Sequence, residues 1–245
     1  MNQDNFNINR LFNFIQRQVS LNLPPMLIAA GGIFGLLLVV SLFVAYFDPR
    51  DIREINSFYL TVFFIGGFIF TSRIFSELNS PQKSYFYLTL PVSTLEKVIG
   101  SWVLSSPVYV VVFSVGIFII YLITGLVAGG NHASIPDMFD KHYFQSMGVY
   151  MVTQTVFFLG AAYFRNYNFL KTLLALFVLQ VIIGSYSGLL GWMLFGSKLQ
   201  SEDFSGGFQY FVEYTIPQIA HVLFWYLLAP FLLVVSYFSL KERQV

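Results

Sequence analysis

The chain contains no cysteine among its 245 residues, which excludes disulfides, thiolate metal sites and cysteine nucleophiles together. Charge is also scarce. Only 10% of residues are Asp, Glu, Lys or Arg, against roughly 25% in a soluble domain, and 56% are hydrophobic with a mean hydropathy of +0.69. So little polar surface cannot clothe a water-soluble globule. A phosphate-binding loop is missing as well: the nearest approach, Gly191 to Lys198, carries Ser197 and Lys198 in the reverse of the order that cradles a nucleotide phosphate. Any ATP hydrolysis must come from another polypeptide. Within the apolar stretches the deep polar positions are Gln154, Gln180 and hydroxyls such as Ser114, Thr153 and Ser185. That set holds no carboxylate, imidazole or amine to carry a coupling ion, and no general-base or nucleophile constellation. The three histidines, His132, His142 and His221, share no metal-ligand spacing. Asp137 and Asp140 read as an acidic loop that caps the next helix.

What the chain does have is six apolar stretches, at 26–47, 58–72, 102–127, 147–164, 172–195 and 219–240. A bilayer core needs about 20 apolar residues per helix, and the second stretch is the shortest. The expected fold is therefore an all-α integral membrane protein with six transmembrane helices. Six crossings put both termini on one side, together with the 73–101 and 165–171 connections. That side carries Arg10, Arg17, Arg73, Lys83, Lys97, Arg165, Lys171, Lys241 and Arg243, and the other carries Arg50, Arg53, Lys141 and Lys198. The excess of Lys and Arg marks the first side as cytoplasmic.

Ahead of the first span, Ile8, Leu11, Phe12, Ile15 and Val19 recur at helical spacing, with Arg10 and Arg17 on the opposite face. Residues 1–25 are thus expected to form a cytoplasmic amphipathic elbow helix lying in the interface. Pro24 and Pro25 are expected to end it before the 26–245 six-helix transmembrane domain begins. No compact apolar core followed by a small-residue cleavage site occurs in this segment, so it does not read as a signal peptide.

The 73–101 connection carries two helix starts. Ser80 before Pro81 predicts an N-cap with proline at the first helical position, opening a short helix through Lys83, Tyr85 and Phe86. Ser93-Thr94-Leu95-Glu96 is a capping box, from which a second helix should run into the third span. Leu90-Pro91 separates them, because the residue before proline is held out of the helical region. A short helix on a stiff loop is either a docking element for a soluble partner or a plain interfacial hairpin.

The run S-E-L-N-S-P-x-K-S at 76–84, the aromatic pair Tyr85-Phe86, L-T-L-P-V-S at 88–93, Glu96-Lys97 and Trp102 resemble the permeases of the ABC-2 type, membrane subunits of bacterial ATP-driven exporters. The order of elbow helix, six spans and internal termini resembles them too. The resemblance implies that Ser80, Pro81, Lys83, Tyr85 and Phe86 belong to a coupling helix seated on a separately encoded ABC ATPase. It also implies a bacterial inner-membrane location and a homodimer or a heterodimer with a second permease. No cofactor, metal or nucleic acid is called for, and no chemistry occurs in the chain itself.

Gly31 and Gly35 in the first span, and Gly184 and Gly188 in the fifth with Gly191 beyond them, form small-residue stripes that permit close helix approach. They pack neighbouring spans of one chain or, as the resemblance implies, a second subunit. Gln154 and Gln180 are expected as interhelical hydrogen-bond partners. Pro107 and Pro230 should kink spans three and six, and aromatics in the 201–217 segment suit an interfacial position. Two rivals stand beside the exporter: a non-transporting membrane sensor or assembly factor that binds another cytoplasmic partner through the same helix, and a secondary carrier, which the lack of intramembrane charge disfavours.

Overall fold

The computed structural model describes residues 6–47, 55–127, 140–195 and 211–243, and among them it is entirely helical. Helix α1 spans Ile8–Phe47 and α2 spans Ile55–Ser72. A tight turn, Ser76–Asn79, leads to the short α3, Pro81–Leu88. Then α4 (Thr94–Val103), a wide π-helical turn (Leu104–Val108) and α5 (Tyr109–Val127) follow as one rod. Next come α6 (Lys141–Tyr163) and α7 (Asn168–Phe195). The last rod opens on a π turn at Phe211–Thr215, continues through α8 (Ile216–Val222) and a second π turn (Leu223–Leu228), and ends with α9 (Ala229–Glu242).

Five of these rods are long and apolar enough to cross a membrane: α1, α2, α4–α5, α7 and Glu213–Glu242. They are compatible with a multi-pass membrane protein. The expected fourth span is the exception. Helix α6 has the length, but His142, Gln145, Ser146, Thr153, Gln154 and Thr155 lower its hydropathy. It can carry them because it is the centre of the bundle, packed by α2, α7 and α9. Its buried face meets protein rather than lipid, so hydrogen bonding replaces apolarity as the requirement.

Two apolar clusters hold the bundle. One gathers α1, α2, α5 and α6 around Leu37, Phe63, Phe113, Ile117 and Tyr150; the other gathers Phe14, Phe75, Tyr87, Phe158 and Leu240 at the end that carries α3. In the first, the rings of Phe63, Tyr109 and Tyr150 lie within 4.6–5.4 Å of one another, and Phe68 stacks on Phe157 at 4.3 Å. Close ring packing of this kind adds to plain area burial. Gly67 makes room for it, since a methyl group there would overlap the ring of Tyr150.

Pro24 and Pro25 do not end the first helix: Ile8–Phe47 is continuous through both. The expected break between elbow and span is therefore corrected to one 40-residue helix. Missing amides are tolerated in an apolar helix when tertiary contacts hold both of its halves, and contacts from the 73–101 connection hold the first half here. The expected kinks do have a counterpart. Pro107 lies inside the Leu104–Val108 π turn, and Pro230 is the second residue of α9, which follows the turn at Leu223–Leu228.

Candidate functional site

The site expected on the 73–101 connection can be built from its caps upward. Ser93 Oγ accepts the Glu96 amide at 3.2 Å, and Glu96 Oε2 accepts the Ser93 amide at 2.9 Å. The capping box forms, and α4 starts at Thr94. At the other start the outcome differs: Ser80 has the extended backbone of a cap and its carbonyl accepts the Ser84 amide at 2.8 Å, but its side chain caps nothing. Proline sets the start of α3 by its fixed φ, and the helix runs two residues beyond Phe86 to Leu88.

Helix α3 exposes one side and buries the other. Tyr85 and Phe86 are each 67% exposed and meet edge to face at 6.0 Å, and Lys83 is exposed beside them. Tyr87 is fully buried against Phe14 of α1 at 6.1 Å, with Lys97 Nζ 5.3 Å over its ring. That burial raises the pKa of the phenol. Lys97 is itself buried, and its ammonium donates to the Leu88 carbonyl at 3.3 Å, fixing the C-terminal end of α3.

The sequence did not disclose what braces this connection. Glu96 Oε1 accepts from Arg10 Nη2 at 2.9 Å and from the Asn7 amide at 2.6 Å, and its side chain is 0% exposed. Arg17 pairs with Glu77 Oε2 at 3.4 Å. Between the two pairs, Phe14 fills the space left by Gly100, where a β-carbon would come within 2.8 Å of its ring. The side of the first segment that meets the connection thus carries the buried Phe14 and Gln18 and the half-buried Arg10 and Arg17. Of the expected apolar face, Ile8 and Phe12 are exposed, while Leu11, Ile15 and Val19 are half-buried. The signal was present as unmatched charge: Glu77 and Glu96 are the two acids of the connection, and Arg10 and Arg17 face one side of the helix.

Deeper in the bundle, Gln154 is fully buried and its Oε1 accepts from Thr71 at 3.2 Å and Ser105 at 3.4 Å. The expected interhelical role holds for Gln154. It fails for Gln180, which is exposed on α7 beside a shallow concavity with Leu176, Leu179, Ile183 and Gly184. The π turn leaves the Ser105 carbonyl free to accept the Tyr150 hydroxyl at 2.9 Å, and Tyr109 donates to the Phe63 carbonyl at 2.9 Å. Each bond ties the interrupted third rod to a neighbour.

The glycines expected in helix packing divide unexpectedly. Gly31, Gly35, Gly184, Gly188 and Gly191 have no atom of another helix within reach of an added β-carbon. Among the described residues they pack no neighbouring span of this chain. Among the described residues no group of three His, Asp or Glu side chains could hold a metal; Asp140 caps α6 through the Tyr143 amide at 2.7 Å, as expected. A 230 Å³ pocket near it is lined by Asn56, Tyr59, Phe113, His142, Tyr143 and Met147, among others. His132, Asp137 and 201–210 lie outside the described residues.

No protein-family model, curated protein or solved structure matches this chain.

Proposed function

We propose that this chain is the permease half of an ATP-driven exporter, with α3 as the element that docks on a separately encoded ATPase. The observation that carries the reading is the asymmetry of α3. Two adjacent aromatic rings stand 67% exposed on an eight-residue helix outside the apolar rods, while Tyr87 and Lys97 anchor its back. Exposed aromatics on a rigid element lose little conformational freedom when a partner groove covers them, which favours tight contact. The resemblance of residues 75–102 to ABC-2 permeases supports the same role. The lack of Asp, Glu, Lys and Arg in the apolar stretches 26–47, 58–72, 102–127, 147–164, 172–195 and 219–240 supports coupling to an external engine rather than to an ion gradient.

In this reading α6 is the fourth of six crossings, both termini and α3 are cytoplasmic, and the membrane is the bacterial inner membrane. ATP-driven closure of the ATPases pushes α3, and the rods rearrange to open the other side. Two permeases meet through the open glycine faces of α1 and α7.

Lys83→Glu with Tyr85→Ala and Phe86→Ala should abolish substrate-stimulated ATP turnover in the purified complex without lowering membrane abundance. Normal coupling by that triple variant would refute the docking role. Copurification of a partner that is not an ATPase would instead favour the sensor or assembly factor. The chain's lack of cysteine makes sidedness simple to check: Ser84→Cys should resist an impermeant thiol reagent applied to intact cells, whereas Ser134→Cys and Ser205→Cys should react.

A further inference from the structure

The connection between α6 and α7 is short, fixed and basic. Phe164 closes α6 with its amide on the Gly160 carbonyl at 2.9 Å, and Tyr167 takes a left-handed backbone, φ 55°. Asn168 is buried, and its amide reaches the Ser72 carbonyl at 3.3 Å and the Ala161 carbonyl at 3.5 Å. The guanidinium of Arg243, just past α9, donates to the Tyr163 carbonyl. Onto this scaffold project the exposed Arg165 and the exposed Lys171, whose Nζ lies 6.0 Å from the Phe164 ring.

Among the described residues none of these three cations has a carboxylate within 4.0 Å, and the ion pairs there are Arg10–Glu96 and Arg17–Glu77. The neighbouring acid, Glu242, is exposed and pairs with none of them. Partial burial, and then the Arg165 charge, lower the pKa of Arg243. Beside the cations, Tyr163 and Tyr167 are exposed, as interfacial aromatics are. Running away from them along α7, Leu170, Leu173, Leu174 and Phe177 are all exposed at spacings of three and four. One face of α7 is therefore an apolar track that begins at a cationic corner.

We propose that Arg165, Lys171 and Arg243 bind the phosphate headgroup of an anionic phospholipid whose acyl chain lies along Leu170, Leu173, Leu174 and Phe177. Charge complementarity selects the anion, since two guanidiniums and an ammonium offer hydrogen bonds that a zwitterionic headgroup meets with its own opposing cation. The apolar track selects a lipid over a free phosphate. This assignment requires the chain to sit in a bilayer and is independent of any ATPase.

The full-length protein, purified in a neutral detergent, would be titrated with phosphatidylglycerol, phosphatidylcholine or inorganic phosphate, and bound lipid counted by native mass spectrometry. Phosphatidylglycerol should be retained in preference to phosphatidylcholine, and inorganic phosphate should not displace it at equal concentration. Arg165→Gln with Lys171→Gln should weaken retention by roughly 30-fold. Lys83→Gln with Lys141→Gln removes the same charge elsewhere and should leave retention unchanged. Equal retention of the two lipids by the unmodified protein overturns the proposal without any variant. Displacement by inorganic phosphate, or equal loss in both double variants, overturns it too, as a free-phosphate site or a diffuse charge effect.

Discussion

Glycines at the centre of the bundle and glycines on its two outer helices do opposite things. Gly67, Gly100, Gly116, Gly148 and Gly160 each sit where a β-carbon would strike a side chain of another segment, whereas Gly31, Gly35, Gly184 and Gly188 face open space. The first group has no sequence spacing that announces it. The second group has the small-x-x-x-small pattern and, among the described residues, no contact within the chain. Spacing therefore reports a helix with a narrow, repeated groove, which is what one helix offers to a partner of its own kind. The glycines of the core instead answer individual side chains: Tyr150 at Gly67, Phe14 at Gly100, Thr172 at Gly160.

This contrast can be tested as a ranking of stability losses in detergent. The largest should fall on the braced end, where Arg10→Met strands the fully buried Glu96 carboxylate with its two backbone donors. An unpaired buried charge costs about 3 kcal/mol, and adding Glu96→Gln should recover part of that loss, since the neutral amide needs no cation. If the double variant is no more stable than Arg10→Met, the pair is not what holds α1 to the connection. Next, Gly67→Ala forces Tyr150 out of its place and away from the Ser105 carbonyl. Overpacking of this kind costs about 2 kcal/mol, read as a shift in the denaturant midpoint. The smallest effect belongs to Gly184→Leu with Gly188→Leu, which should change single-subunit stability by no more than about 0.5 kcal/mol. If the proposed permease pair forms through these faces, the same variant should shift it toward monomer in mild detergent, because association in lipid depends on close packing. A large stability loss there would erase the distinction between the two groups.

Much of the architecture was legible because the bilayer imposes long apolar helices. The five rods, the capping box at Ser93 and Glu96, the Asp140 cap, and α3 behind Pro81 all follow from local chemistry. Helix α6 was legible as a helix but is the least apolar of the six expected spans, since its environment is set by neighbours distant in sequence. The continuity of α1 through Pro24 and Pro25 was illegible for the same reason. A local rule weighs two missing amides; it does not see Glu77 and Glu96, some 60 and 86 residues from the arginines that they hold. Gln180 shows the reverse case, where a polar residue in an apolar run suggests a partner that the fold does not supply.

At 1.5 Å per residue, the 40 residues of α1 make a rod of about 60 Å, twice the roughly 30 Å thickness of a bilayer's hydrocarbon core. About half of it must stand beyond that core or lie at its edge, and that is the half gripped by Glu77, Glu96 and Tyr87. In the proposed reading it is a lever with its handle on the side of α3, and the proline pair divides the gripped arm from the apolar one. A push on α3 would reach the far end of the first crossing as tilt, with no second relay needed. Paired spin labels at Asn13 and Phe47 would report such a motion as a change in separation if the rod bends at the prolines, and as none if it swings rigidly.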